Sequence, residues 1–210
     1  MKNALQLKEQ LAEIIRTYNA KGWSPATSTN YSFRLPERPD VIYVSKSGID
    51  KHYFAPTDFM EVDLAGNALP DFEGIRPSAE TLIHCTLYAL FPDMHCILHS
   101  HSIYSVLHSA VISDAVRFAG YEVLKGYEGI KTHEVMVDLP ILDNAQDMVQ
   151  FSAVLRNHYN QLKVPAFIMR KHGTYAWGRD LFEAKRHLET TEYLLEVEWK
   201  LRSNELNNHR

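Results

Sequence analysis

Leu7, Leu11, Ile14, Ile15 and Tyr18 recur three and four positions apart among charged residues until Gly22, so the chain opens on an amphipathic helix. "VIYVS" at 41–45 then predicts a strand that ends in the turn "KSGID". A helix is expected from Pro77 to about Leu90, capped by Ser78 and carrying Glu80 in its favourable first turn. "HCILHSH" (95–101) reads as a strand, residues 103–111 as a short helix, "EVMVDLPIL" (134–142) as a strand, and 145–162 as a helix with Met148, Phe151, Leu155 and Tyr159 on one face. "PAFIMRKHGTYAWG" (165–178) predicts two strands joined at His172-Gly173, and Asp180 caps a last helix reaching about Ser203. Helices and strands therefore alternate. No internal repeat, low-complexity tract or Pro/Gly linker divides the chain, and 210 residues suit one domain spanning 1–210.

Composition narrows the function classes. A hydrophobic content of 45% supports a proper core. The net charge of -4 arises from 22 basic and 26 acidic residues with no basic block, so no footprint for nucleic acid is present, and an anionic substrate needs local basic or backbone donors. "MKNALQLKEQLAEIIR" mixes charges into its apolar pattern and reads as neither signal peptide nor anchor, and nothing approaches the ~20 apolar residues of a membrane span. Cys85 and Cys96 are too few for a disulfide framework and lack a CxxC spacing. They read as two buried small hydrophobes, which fits a reduced, cytoplasmic protein.

The histidines are the candidate chemistry. His99 and His101 are two apart at the end of an apolar strand, so their side chains share a face and can grip one ion if the chain stays extended. A catalytic zinc usually takes three protein ligands and one open position. His172, before a glycine at the junction of two apolar strands, is the natural third ligand. His52, His84, His95, His108, His133, His158, His187 and His209 lie on helices, at strand starts or in the tail, and are expected at the surface or as satisfied core positions.

Several ordered motifs together resemble the class II aldolase/adducin superfamily over nearly the whole chain: Asn30 in "PATSTNYS", Ser47-Gly48 in "SKSGID", Ser78 and Glu80 in "RPSAE", His99 and His101 in "LHSHS", and His172 in "RKHGTYAWG". The resemblance implies a three-layer α/β/α fold with a central, mostly antiparallel sheet. It also implies a homotetramer with active sites at subunit contacts, and a divalent ion, generally zinc and one per subunit, held by His99, His101 and His172. Three neutral imidazoles leave such an ion its full double charge for polarising a carbonyl. By the same resemblance, Asn30, Ser47, Gly48 and Ser78 bind the phosphate of a sugar phosphate, and hydroxyls, an amide and turn N–H groups are good anion donors. One departure stands out: the superfamily commonly has Gly before the loop asparagine, where this chain has Thr29. A side chain there would crowd the phosphate or add a hydroxyl donor.

Within the superfamily, "GWSPATSTNYS", "PSAETLIH" and "GYEVLKG" most resemble the dehydratases of methionine salvage, which act on 5-methylthioribulose-1-phosphate. The resemblance makes Glu122 the acid/base, with a pKa expected to be raised by a partly apolar pocket. Glu80 is the rival carboxylate, because the matching glutamate is the acid/base of the superfamily's sugar-phosphate aldolases, such as those of the fuculose-phosphate type. The 4-epimerases carry Asp there and fit less well. A non-catalytic module like the adducin head lacks the metal histidines, all three of which are present here.

Overall fold

The computed structural model describes residues 3–208, with side chains described to Asn204. His209 therefore lies outside the described residues. The first helix, α1 (Ala4–Ala20), is closed at its start by Asn3, whose side chain accepts from the Gln6 N–H while the Gln6 side chain accepts from that of Asn3. It buries Leu11, Ile15 and Tyr18, as the apolar spacing predicts. There follow β1 (Tyr31–Leu35), β2 (Arg38–Ser45), β3 (Phe59–Val62), α2 (Thr81–Leu90), β4 (Cys96–Ser100) and α3 (Ile103–Val111). The second half comprises β5 (Ala115–Ala119), β6 (Met136–Leu142), α4 (Met148–Asn157), β7 (Ala166–Met169), β8 (Gly173–Gly178) and α5 (Leu181–Asn208).

The strands form one eight-stranded sheet in the order β3-β2-β1-β4-β8-β7-β6-β5. Every pairing is antiparallel except β6 with β7, which α4 joins as a crossover. Alternation along the strands feeds two cores. On β8, Ala176 packs with α1 and α5 residues such as Leu11 and Leu188, whereas Tyr175 and Trp177 pack with Ile83 of α2 and Phe151 of α4. The expected mostly antiparallel sheet between helices is thus present.

Two helices differ from expectation for identifiable reasons. The helix expected from Pro77 begins at Thr81, because residues 76–78 pair instead with the end of β2: the Ser47 N–H donates to the Arg76 carbonyl and the Ser78 N–H to that of Ser45. Ser78 accordingly precedes the helix, with its hydroxyl 3.4 Å from the Glu80 N–H, and no side chain caps α2. The 145–162 helix is shorter, since Asp147 caps it with its carboxylate on the Val149 N–H and a 3-10 turn takes over at Tyr159–Gln161. Strands β1, β3 and β5 are absent from the sequence-based expectation. In β1 all five residues are buried although two are polar, because Ser32 and Arg34 find internal partners: Ser32 meets His84 and Tyr88, and Arg34 donates to the carbonyls of Pro92 and Met94 beyond the end of α2. Among the described residues no helix is long and apolar enough to cross a membrane. Cys85 and Cys96 are buried free thiols, and burial pushes that of Cys85 up to about 12.

Candidate metal centre

The site is built where β4 and β8 run side by side at the middle of the sheet. His99 lies opposite Tyr175 in the ladder and Ser100 opposite Thr174, so His172, one residue before β8, arrives beside the end of β4. Gly173 is what permits the approach. A Cβ there would sit 2.0 Å from the Ser100 carbonyl oxygen, 2.9 Å from the His99 ring and 3.0 Å from the His101 ring. The glycine thus serves close packing, whereas the left-handed residue of the β7–β8 turn is Lys171, at φ 54°. His101 lies past the strand, and its N–H donates to the Trp23 carbonyl at 2.8 Å, which keeps the chain extended long enough for both imidazoles to share a face.

The Nδ1–H of His99 donates to the Thr174 carbonyl at 2.9 Å, which fixes the tautomer and turns the Nε2 lone pair into the site. That Nε2 is 2.8 Å from His101 Nε2, and the Glu80 carboxylate lies 3.0 Å from His172 Nε2 and 3.5 Å from His99 Nε2. One donor atom from each of Glu80, His99, His101 and His172 lies within 4.8 Å of all the others. Atoms sharing one tetrahedral ion at bonds near 2 Å are about 3.3 Å apart, so the donor set fits a single divalent cation. Burial, and then the neighbouring ring of His101, holds His99 well below the usual imidazole range. Burial and then His172 push His101 down to about 4. Both rings are therefore neutral, the form in which imidazole binds a metal.

Glu80 is fixed at the N-terminal end of α2 by two donors distant in sequence. Asn30 Nδ2 donates to it at 2.5 Å and the Tyr175 hydroxyl at 2.6 Å. Burial opposes its ionisation, but the hydrogen bonds with His172 and from Tyr175 favour it, and the carboxyl stays well below its ordinary range. A buried chain stands behind Asn30. Its Oδ1 can only accept, so His84 donates from Nε2; His84 Nδ1 then accepts from Ser32, and Ser32 accepts from Tyr88. Burial pushes His84 down to about 4, in keeping with this neutral, satisfied role.

The segments that carry the predicted anion-binding residues are linked to one another. Pro77 bridges to Lys46, and the Tyr31 N–H donates to the Ser45 hydroxyl, which joins the Asn30 loop, the Ser47-Gly48 turn and Ser78. Gly48 has φ +75°. Thr29 occupies the left-handed region at φ 71°, which explains why glycine suits that position and costs a β-branched residue on the order of 1–3 kcal/mol. Its hydroxyl turns inward to Ser24 at 3.0 Å and Tyr31 at 3.1 Å, so it bonds within the protein. Lys51, buried to 1% exposure, donates to the Thr27 and Ile49 carbonyls and ties the two loops together. Sequence reasoning passed over Lys51 and Tyr175. A lysine closing a candidate anion turn was the signal for the first, whereas no local signal marks the second.

Glu122 stands apart. It begins a 3-10 turn, Glu122–Gly126, with its side chain 70% exposed, and its partners are Lys125 and, at 3.3 Å, His133 Nδ1. The expectation of a raised pKa is not met: the Lys125 hydrogen bond lowers it, and no apolar wall surrounds the carboxylate. Of the remaining histidines, His187 is a satisfied core position between the Trp177 carbonyl and the Glu128 N–H, His108 donates to the Leu195 carbonyl, and His52 and His133 are exposed.

Residues 9–199 match the family model of the class II aldolase and adducin N-terminal domain. A methylthioribulose-1-phosphate dehydratase from Picosynechococcus sp. is 50% identical over 193 residues, covering 91% of this chain and 90% of that one. A protein of the same name from Xanthomonas oryzae pv. oryzae is 42% identical over 198 residues, or 93% and 86% of the two chains. Among solved structures, the L-fuculose-1-phosphate aldolase from Thermus thermophilus superposes with a TM-score of 0.73 at 22% identity, covering 97% of each chain, a likeness of fold.

Proposed function

The chain belongs to the class II aldolase and adducin N-terminal domain family, and from that premise we propose that it is a metal-dependent hydro-lyase of methionine salvage. It dehydrates 5-methylthioribulose-1-phosphate to 2,3-diketo-5-methylthiopentyl-1-phosphate. The observation that carries this reading is the 40–50% identity to dehydratases of that specificity over more than nine-tenths of the chain. The three-histidine pocket supplies the chemical means. His99, His101 and His172 would hold a divalent cation, zinc in our reading, which would supply Lewis-acid stabilisation of the negative charge that develops on the substrate.

The protein's own residues do the rest. Ser47, Gly48, Ser78 and the Asn30 loop hold the phosphate, far enough from the reacting carbons to orient them without taking part. The Glu122 carboxylate takes the C3 proton, and the C–H electrons form the enediolate. Its carboxylic acid then returns that proton to the C4 hydroxyl, which leaves as water while the C3–C4 double bond forms, and the resulting enol ketonises to the diketone. Glu80, held ionised by Asn30 and Tyr175, orients His172 and completes the donor set.

Exposed and paired with Lys125 in its own subunit, Glu122 serves the pocket of a neighbouring subunit in a homotetramer. Burial against that pocket is what would raise its pKa. We further take residues 1–210 as one domain working in the cytoplasm on a small sugar phosphate, with neither nucleic acid nor membrane as partner.

Incubation with 5-methylthioribulose-1-phosphate and zinc tests the reaction: diketone should accumulate with loss of water. Two- or three-carbon fragments would instead assign the chain to aldolase chemistry, with Glu80 as the acid/base.

A further inference from the structure

Glu192, on α5, is 1% exposed and among the described residues forms no ion pair with any Lys, Arg or His. A lone buried carboxylate is expensive, and an apolar residue would pack α5 against the sheet at lower cost. Its partners say what it does. The Ser100 and Ser102 hydroxyls both donate to it, one to each oxygen. Burial pushes the Glu192 carboxyl up, the Ser100 and Ser102 hydroxyls oppose that rise, and the buried Thr174 hydroxyl beside it has no other hydrogen-bond partner.

These three residues border the three histidines. Ser100 separates His99 from His101, Ser102 follows His101, and Thr174 is two residues beyond His172. The Thr174 carbonyl also receives the His99 Nδ1–H. Alternation along β4 sends Ser100 to the face opposite His99, toward α5, so the carboxylate holds the strand end from behind. Ser102 additionally caps α3 through the Ser105 N–H. His101 thus hangs on a segment pinned on both sides by the same carboxylate, although it lies beyond the last strand residue.

We propose that Glu192 is a positioning residue for the three-histidine centre, setting the angle and spacing at which His101 and its neighbours present their nitrogens to the ion. The inference rests on the metal reading above. It requires that loss of the carboxylate degrade the ligand geometry before it degrades the fold.

The test uses the purified full chain and its Glu192→Gln and Ser100→Ala variants. Zinc affinity is measured by chelator competition, the cobalt-loaded protein by its visible spectrum, and the metal-free protein by its melting temperature. Glu192→Gln should keep a metal-free melting temperature within a few degrees of wild type, bind zinc about 10- to 100-fold more weakly and show an altered cobalt spectrum. Ser100→Ala should shift affinity in the same direction by less. Wild-type zinc affinity and cobalt spectrum in Glu192→Gln would overturn the proposal. Should that variant fail to fold, Ser100→Ala decides alone: weaker zinc binding upholds the proposal and unchanged binding overturns it. If the wild-type protein itself takes up neither zinc nor cobalt, the metal reading falls and this inference with it.

Discussion

The pocket at the β4–β8 junction and the turn that begins at Glu122, to which the proposed mechanism assigns the two halves of the chemistry, could hardly be prepared more differently. In the pocket, His99 is fully buried, its tautomer is fixed by the Thr174 carbonyl, and Glu80 takes hydrogen bonds from Asn30 and Tyr175. At the turn, the Glu122 side chain is 70% exposed and its partners, Lys125 and His133, are exposed side chains themselves. The candidate donor set lies within one chain. Glu122, the proposed acid/base, lacks the burial that role demands, and the proposed assembly would supply it.

The largest effects should come from the pocket. His99→Ala, His101→Ala and His172→Ala should each lose most bound zinc and nearly all activity while still folding, since two imidazoles do not hold a catalytic ion in fixed geometry. Metal analysis of the purified variants checks this, and full occupancy in any of them removes that residue from the ligand set. Next comes Glu122→Gln, which should keep its zinc and bind substrate while kcat falls by roughly 10² to 10⁴. Glu80→Gln should lose less turnover and more zinc, because it changes the donor set rather than the proton shuttle. The reverse ranking of kcat losses would transfer the acid/base role to Glu80.

Smaller effects sharpen the contrast further. Ser47→Ala and Ser78→Ala should raise KM more than they lower kcat, because phosphate contacts hold ground and transition states almost equally. A kcat loss at constant KM would place these serines in the chemistry. The smallest effect concerns Lys51, whose ammonium burial pushes down to about 8 from 10.5. The unfolded chain then binds more protons between those values, so wild-type stability should rise with pH across that window relative to Lys51→Met. Melting temperatures of the two proteins from pH 7 to 10 give the comparison, and parallel curves would contradict the buried ammonium.

What could be read from the sequence follows the range of the interactions. The pairing of His99 with His101 is a local consequence of a two-residue period, and α1 and the cap of α5 by Asp180 follow equally local rules. Tyr175 reaches Glu80 across 95 positions and Glu192 reaches Ser100 across 92, so neither announces itself locally. The same holds for β1, whose polar Ser32 and Arg34 disguise a fully buried strand because their partners come from α2 and the residues that follow it. Glu122 was singled out by resemblance to relatives. Its exposure became visible only once the turn was placed against α5.

Mixing two inactive proteins tests most directly whether the two halves meet between subunits. Glu122→Gln retains the three histidines, and His172→Ala retains Glu122. Co-refolded or co-expressed in equal amounts, they should form mixed tetramers in which about a quarter of the sites pair an intact donor set with an intact glutamate from the neighbour, restoring activity to about that fraction of wild type. If each pocket uses the Glu122 of its own chain, no mixed site is intact and the mixture stays as inactive as its components.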